Sequence, residues 1–235
     1  MIELVKIIKK IHNFAYRHLV YPVVLSTILV ILFFIVRIYL TRQVGYLSLI
    51  WNLFLAWLPY VFALVSSLIH EVLPRRWWLM LIPTGLWFLF LPNAFYIVTD
   101  FFQLTKHPAI PLWYDAGLVA ITSWTGLFLA IISLSTMQRI IQAYLGGFFS
   151  WGFSLLVIGL NGYGVYLGRF LRWNSWDLIF EPVAILSDSY EILKNPFDSK
   201  EVIGFIVMYT SLYLVTYLTF SLLLFSNRKE DYTKT

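Results

Sequence analysis

The chain of 235 residues contains no cysteine and little charge: Asp, Glu, Lys and Arg together make up 12% of it. Without cysteine there is no thiol nucleophile, no disulfide framework and no thiolate-ligated metal. Histidine is also sparse, and His12, His18, His70 and His107 are dispersed, with no i,i+4 pair of the kind a helical zinc site needs. No metal and no cofactor is therefore expected. The charged fraction is about half that of a soluble domain, while hydrophobic residues reach 60% and aromatic residues 19%. The 17 basic and 12 acidic side chains gather in short blocks, and the polar segments between apolar runs are too short to bury cores of their own. These shortages exclude a large extramembrane catalytic domain and leave an integral membrane protein.

What is present is a series of uncharged runs, at 19–36, 43–70, 77–99, 116–138, 140–168 and 202–227. Each is long enough for a helix of about 20 residues to cross a hydrocarbon layer of about 30 Å. The expected fold is all-α: a single integral membrane domain over 1–235, a polytopic transmembrane helical bundle with about six spans. Candidate spans lie at 19–40, 49–70, 77–99, 112–138, 144–168 and 202–225, with an outer loop at 169–201. The first run has no small-residue cleavage site after it and is read as the first membrane helix rather than a signal peptide. Pro83 and Pro92 interrupt the third run. A continuous, kinked helix is expected there, the alternative being a shorter helix followed by a re-entrant segment.

Basic residues at the span ends suggest an orientation. Six crossings put Lys6, Lys9, Lys10, Arg17, Arg75, Arg76, Arg139, Arg228, Lys229 and Lys234 on one side, and Arg37, Arg42, Lys106, Arg169, Arg172, Lys194 and Lys200 on the other. The first side is the richer and is read as cytoplasmic, with both termini there. Asp100, Asp115, Asp177, Glu181, Asp188, Glu191, Asp198 and Glu201 then fall outside. The net charge of +5 is an orientation signal, and no basic surface is large enough to follow a phosphate backbone, so no nucleic-acid partner is expected.

Two polar segments interrupt the hydrophobic pattern. The first, LPNAFYIVTDFFQLTKHPAIPLWYDAG at 91–117, sets Asp100 and Asp115 on either side of a hairpin. As an interfacial loop it would use both carboxylates as helix caps and place Tyr96, Trp113 and Tyr114 in the aromatic belt. As a site it would bring the carboxylates together to hold a cation or to act as general acid and base. The second is GLNGYGVYLGRFLRWNSWD at 159–177. Its Gly164 and Gly168 form a G-x-x-x-G pair that lets another helix approach, and its glycines do not follow the spacing of a nucleotide-binding loop. Asn161 is expected to make an interhelical hydrogen bond. Arg169 and Arg172 would share a face if the helix continued through them, with Trp173, Asn174, Trp176 and Asp177 beside them. Snorkelling arginines, anchoring tryptophans and an Asp177 pair account for these singly. Together they suit a phosphate or carboxylate headgroup. The start, MIELVKIIKKIHNF, interleaves lysines with apolar residues and is read as lying along the inner surface, and 183–193 as a short amphipathic helix.

The segments NLFLAWLPY at 52–60, FLPNAFYIVTD at 90–100, LWYD at 112–115 and YLGRFLRWNSWD at 166–177 resemble the bacterial membrane proteins grouped as domain of unknown function 1361. Phe95 stands where that family more often has proline. The resemblance implies a multi-pass location in the bacterial plasma membrane and shared use of Asn93, Asp100, Asp115, Arg169, Arg172, Asn174 and Asp177. It implies no reaction. The function expected is binding of an envelope lipid headgroup or small solute at an outward-facing cluster, with Asn93, Arg169, Arg172, Trp173, Asn174 and Asp177 as ligand-binding residues. The alternatives are a membrane-embedded enzyme on a phosphate-bearing envelope lipid, with Asp100 or Asp115 as catalytic base, and a small transporter. Expected partners are membrane lipids, that ligand and a further membrane protein.

Overall fold

The computed structural model describes residues 2–194 and 199–232. Asp198, one of the carboxylates assigned to the outer side, lies outside the described residues. The described chain is all-α. An amphipathic helix α1 (Ile2–Arg17) is followed by the long helices α2 (Val20–Thr41), α3 (Leu47–Val72), α4 (Leu81–Tyr96), α5 (Leu112–Leu145) and α6 (Gly147–Arg169). Two short helices, α7 (Asp177–Phe180) and α8 (Pro182–Lys194), precede α9 (Lys200–Tyr232). Among the described residues, six segments are long and apolar enough to cross a membrane: Val20–Thr41, Leu47–Val72, Trp77–Gln103, Leu112–Leu145, Gly147–Arg169 and Lys200–Ser221.

The third span joins α4 to single-residue-tighter 3-10 turns at Trp77–Met80 and Ile97–Gln103. It therefore runs through both prolines, as the continuous reading expects. Pro83 sits in the first turn of α4, where a backbone donor has no helical partner to lose. Pro92 lies in the interior and packs its ring against α6. Asp100 falls inside the second 3-10 helix and is fully buried, so it does not cap a helix start.

Helix α5 is the centre of the bundle, packed against α2, α3, α4, α6 and α9. It continues past Gln138 to Leu145 and carries many buried hydroxyls. Several are satisfied within the helix itself, while Ser123 donates to the Ile97 carbonyl at 3.2 Å. Thr122 donates to the Leu118 carbonyl at 2.7 Å, Thr125 to Ile121 at 2.9 Å and Ser133 to Ala130 at 2.9 Å, which satisfies each group one turn back where lipid offers nothing.

The small residues of α6 work as the G-x-x-x-G reading expects. A Cβ on Gly164 would come within 2.8 Å of Pro92 Cγ, and one on Gly168 within 3.4 Å of the Tyr96 ring. On another face, a Cβ on Gly162 would sit 2.0 Å from Thr210 Oγ1 of α9. The helix thus lies close to α4 on one side and α9 on the other. Two groups of polar contacts lie at the ends of the bundle, while Trp57–Thr27 (3.1 Å) joins α3 to α2 between them. Arg17–Glu71 (3.2 Å) and His70–Tyr144 (3.1 Å) join α1, α3 and α5 at one end. Arg37–Asp115, Asn52–Asp100 and Tyr46–Gln103 lie at the other.

Candidate functional site

Among the described residues, the end of the bundle that carries Asp100 and Asp115 holds two ion pairs with different partners, in each of which the aspartate is buried. Asp115, in the first turn of α5, receives the Arg37 guanidinium of α2 through Nε at 2.7 Å and Nη2 at 3.3 Å. Both residues are about 2% exposed. The third nitrogen of Arg37 donates to the Gly45 carbonyl at 3.2 Å, and its Cζ lies 4.4 Å from the centre of the Tyr46 ring. Planar guanidinium, paired carboxylate and aromatic face form a saturated arrangement.

Asp100 takes its partners from elsewhere. Its oxygens accept from the Asn52 amide at 2.9 Å and the Gln103 amide at 3.3 Å, and Arg169 stands 3.7 Å away. Arg169 also donates to the Tyr96 hydroxyl at 3.3 Å and lies over the Phe102 ring. Thus one carboxylate ties the 3-10 helix Ile97–Gln103 to α3 and α6. The two aspartates do not contact each other across the hairpin. They are linked indirectly, because Tyr46, which stacks on Arg37, donates its hydroxyl to the Gln103 carbonyl at 3.3 Å.

The second polar segment divides similarly. Helix α6 ends at Arg169, and Arg172 has a left-handed backbone with φ of 60°. The reading that placed Arg169 and Arg172 on one helical face therefore does not hold: the chain turns between them, the Trp173 amide reaching back to the Leu167 carbonyl at 3.1 Å. Arg172 is exposed. Asp177 does not pair with an arginine but accepts from the Asn174 amide groups, backbone at 2.6 Å and side chain at 3.1 Å, closing the turn before α7. Trp173 donates to Asp188 of α8 at 2.9 Å. Asn93 donates to the Phe90 carbonyl at 3.1 Å and to the Ser175 hydroxyl at 2.6 Å.

Below this turn lies a cavity of about 320 Å³ between α4, α6 and α8. Its walls are mainly apolar, with Leu91, Leu160, Leu167 and Ile185 among them, and its polar lining includes Asn93, Tyr96, Trp173, Asn174 and Ser175 as well as Tyr163 and Ser189. Its size falls in the lower part of the ~300–1,000 Å³ range of small-molecule sites. Asn161 also lines it and is buried, yet neither atom of its amide has a hydrogen-bond partner. This corrects the expected interhelical hydrogen bond: the glycines flanking Asn161 bring the helices close, but they supply no polar side chain to meet it.

Two contributors escaped the sequence reading. Arg37 looked like a topological charge at the end of the first span, although its position inside an apolar run was a signal of burial. Asn52 was visible only as a lone amide in NLFLAWLPY.

The model of a protein family described as protein of unknown function (DUF1361) matches residues 51–216. No curated protein and no solved structure matches the chain. The match takes in Asn52, both aspartates, the α6 turn and all the lining residues of the cavity. The chain is a multi-pass membrane protein that belongs to the DUF1361 family.

Proposed function

We propose that the chain binds a membrane amphiphile, an envelope lipid, in the cavity between α4, α6 and α8. The observation that carries this reading is the division of the cavity lining. Leucine and isoleucine walls suit an acyl chain, and the amide, hydroxyl and indole groups of Asn93, Ser175, Asn174 and Trp173 suit a polar head. Arg169 touches this lining through the Tyr96 hydroxyl, and the exposed Arg172 follows it in the turn, so an anionic head has cations within reach of the chain's own turn. Both termini are taken as cytoplasmic and the α6–α7 turn as outside in the plasma membrane, on the distribution of basic residues.

A membrane-embedded enzyme acting on a phosphate-bearing lipid is the second reading. It has the Asp100–Arg169 pair in its favour, a carboxylate beside a cation at the same end of the bundle. Neither aspartate is among the cavity-lining residues, which favours binding over chemistry. Native mass spectrometry and lipid extraction of the folded protein test the proposal. A defined lipid should copurify with the unaltered chain and be lost from Leu186→Trp, which adds bulk at an exposed lining position of α8. Arg169→Ala should reduce its retention. A folded protein carrying only the bulk lipid mixture, with no difference in Leu186→Trp, would overturn the reading.

A further inference from the structure

Helix α1 stands outside the bundle. Leu4, Ile7, Ile8 and Ile11 lie along one face, 55–63% exposed. Lys6, Lys9, Lys10, Asn13 and Arg17 lie along the opposite face, also exposed. An apolar stripe of this length left open to water would cost free energy, so something covers it in the working protein.

The junction with α2 says where that stripe lies. Leu19 has a left-handed backbone, with φ of 57°, which breaks the helix between Arg17 and Val20. Across the break the His12 ring nitrogen is 2.8 Å from the Tyr21 hydroxyl. In one continuous helix, residues nine apart point to opposite sides, about 13 Å apart along the axis, and such a contact would not form. The chain therefore folds back at Leu19. Because Val20 begins the first span, α1 leaves the bundle at the membrane boundary and turns away from the span axis. Arg17 is held to Glu71 at the end of α3, which fixes the C-terminal end of α1 at that level.

We propose that α1 lies in the membrane interface with its isoleucine face in the acyl region, and that its basic face selects a leaflet rich in anionic lipid. The continuity with the first span supplies the position, and the charge supplies the partner: Lys6, Lys9 and Lys10 against Glu3 alone, with Arg17 already paired to Glu71. A second copy of the chain or another protein is less suited, because a partner covering the stripe would leave the opposite basic face unused, whereas an anionic leaflet engages both faces at once.

The missing cysteines make the test direct, since a single introduced thiol has no background. Ile8→Cys and Lys9→Cys, each in the full chain, would carry a nitroxide label in bilayer nanodiscs of pure phosphatidylcholine or with phosphatidylglycerol added. With anionic lipid, the label at position 8 should be accessible to oxygen and shielded from a water-soluble nickel chelate, and that at 9 the reverse. Replacing Lys6, Lys9 and Lys10 by Gln in the Ile8→Cys protein should weaken docking about fivefold per lysine, at ~1 kcal/mol each. Equal chelate access at both positions would overturn the interfacial placement. Shielding at 8 that ignores lipid charge and the glutamines would overturn the anionic selection, and shielding of both positions from both reagents would replace the membrane by a protein partner.

Discussion

The Arg37–Asp115 pair is the most consequential contact of two individual residues. Each side chain is almost wholly buried, and the carboxylate is met by two guanidinium nitrogens. Removing one partner leaves the other charged and enclosed, which costs about 3–5 kcal/mol, whereas replacing both by apolar residues recovers much of the loss. Asp115→Ala should therefore destabilise the protein strongly in detergent unfolding, and Arg37→Leu with Asp115→Leu should lose less than Asp115→Ala alone. If Asp115→Ala unfolds like the unaltered chain, the pair is not a strut. Asp100 contrasts with it, because its three partners come from Asn52, Gln103 and Arg169 at lengths up to 3.7 Å. The sequence showed both aspartates and Arg169, but it could not show their pairing. Partners 78 residues apart meet only through the order of helices in the bundle, which no local pattern encodes.

At the level of elements, glycine on α6 decides how near its neighbours stand. The position of Gly162 allows a quantitative test, because an added Cβ would fall 2.0 Å from Thr210 Oγ1, an atom that has no hydrogen-bond partner of its own. Gly162→Ala should cost about 1–3 kcal/mol through overpacking. Thr210→Ala in that background should return most of the loss, and a double-mutant cycle of thermal unfolding would read the coupling. Additive effects would mean that the clash lies with the Ile206 carbonyl, 3.2 Å from the added Cβ, rather than with the Thr210 hydroxyl. The close approach was legible in the sequence from Gly164 and Gly168, since small residues four apart carry a direct packing meaning. The end of the same helix was not, because Arg172 takes up a left-handed backbone that its residue type does not announce.

For the whole molecule, the six spans follow from apolar run length, a property the membrane thickness imposes on any sequence that crosses it. An even number puts both termini on one side. If the side richer in basic residues is the cytoplasmic one, as proposed, a reporter active only outside should be active when fused after Asp177 and silent after Asn227. The reversed pattern would carry the cavity and both aspartates to the cytoplasmic face. The cavity itself was not legible, since it is bounded by α4, α6 and α8, which are separate in the chain.

The buried pair between α2 and α5 also bears on how the protein is made. Arg37 emerges from the ribosome 78 residues ahead of Asp115, an interval of roughly 4–16 s at about 5–20 residues per second. During that interval the first span holds a permanent cation with no counter-ion, so it must stay beside the insertion machinery or keep its guanidinium in the headgroups until the fourth span arrives. The buried pair can close only once both α2 and α5 are in place.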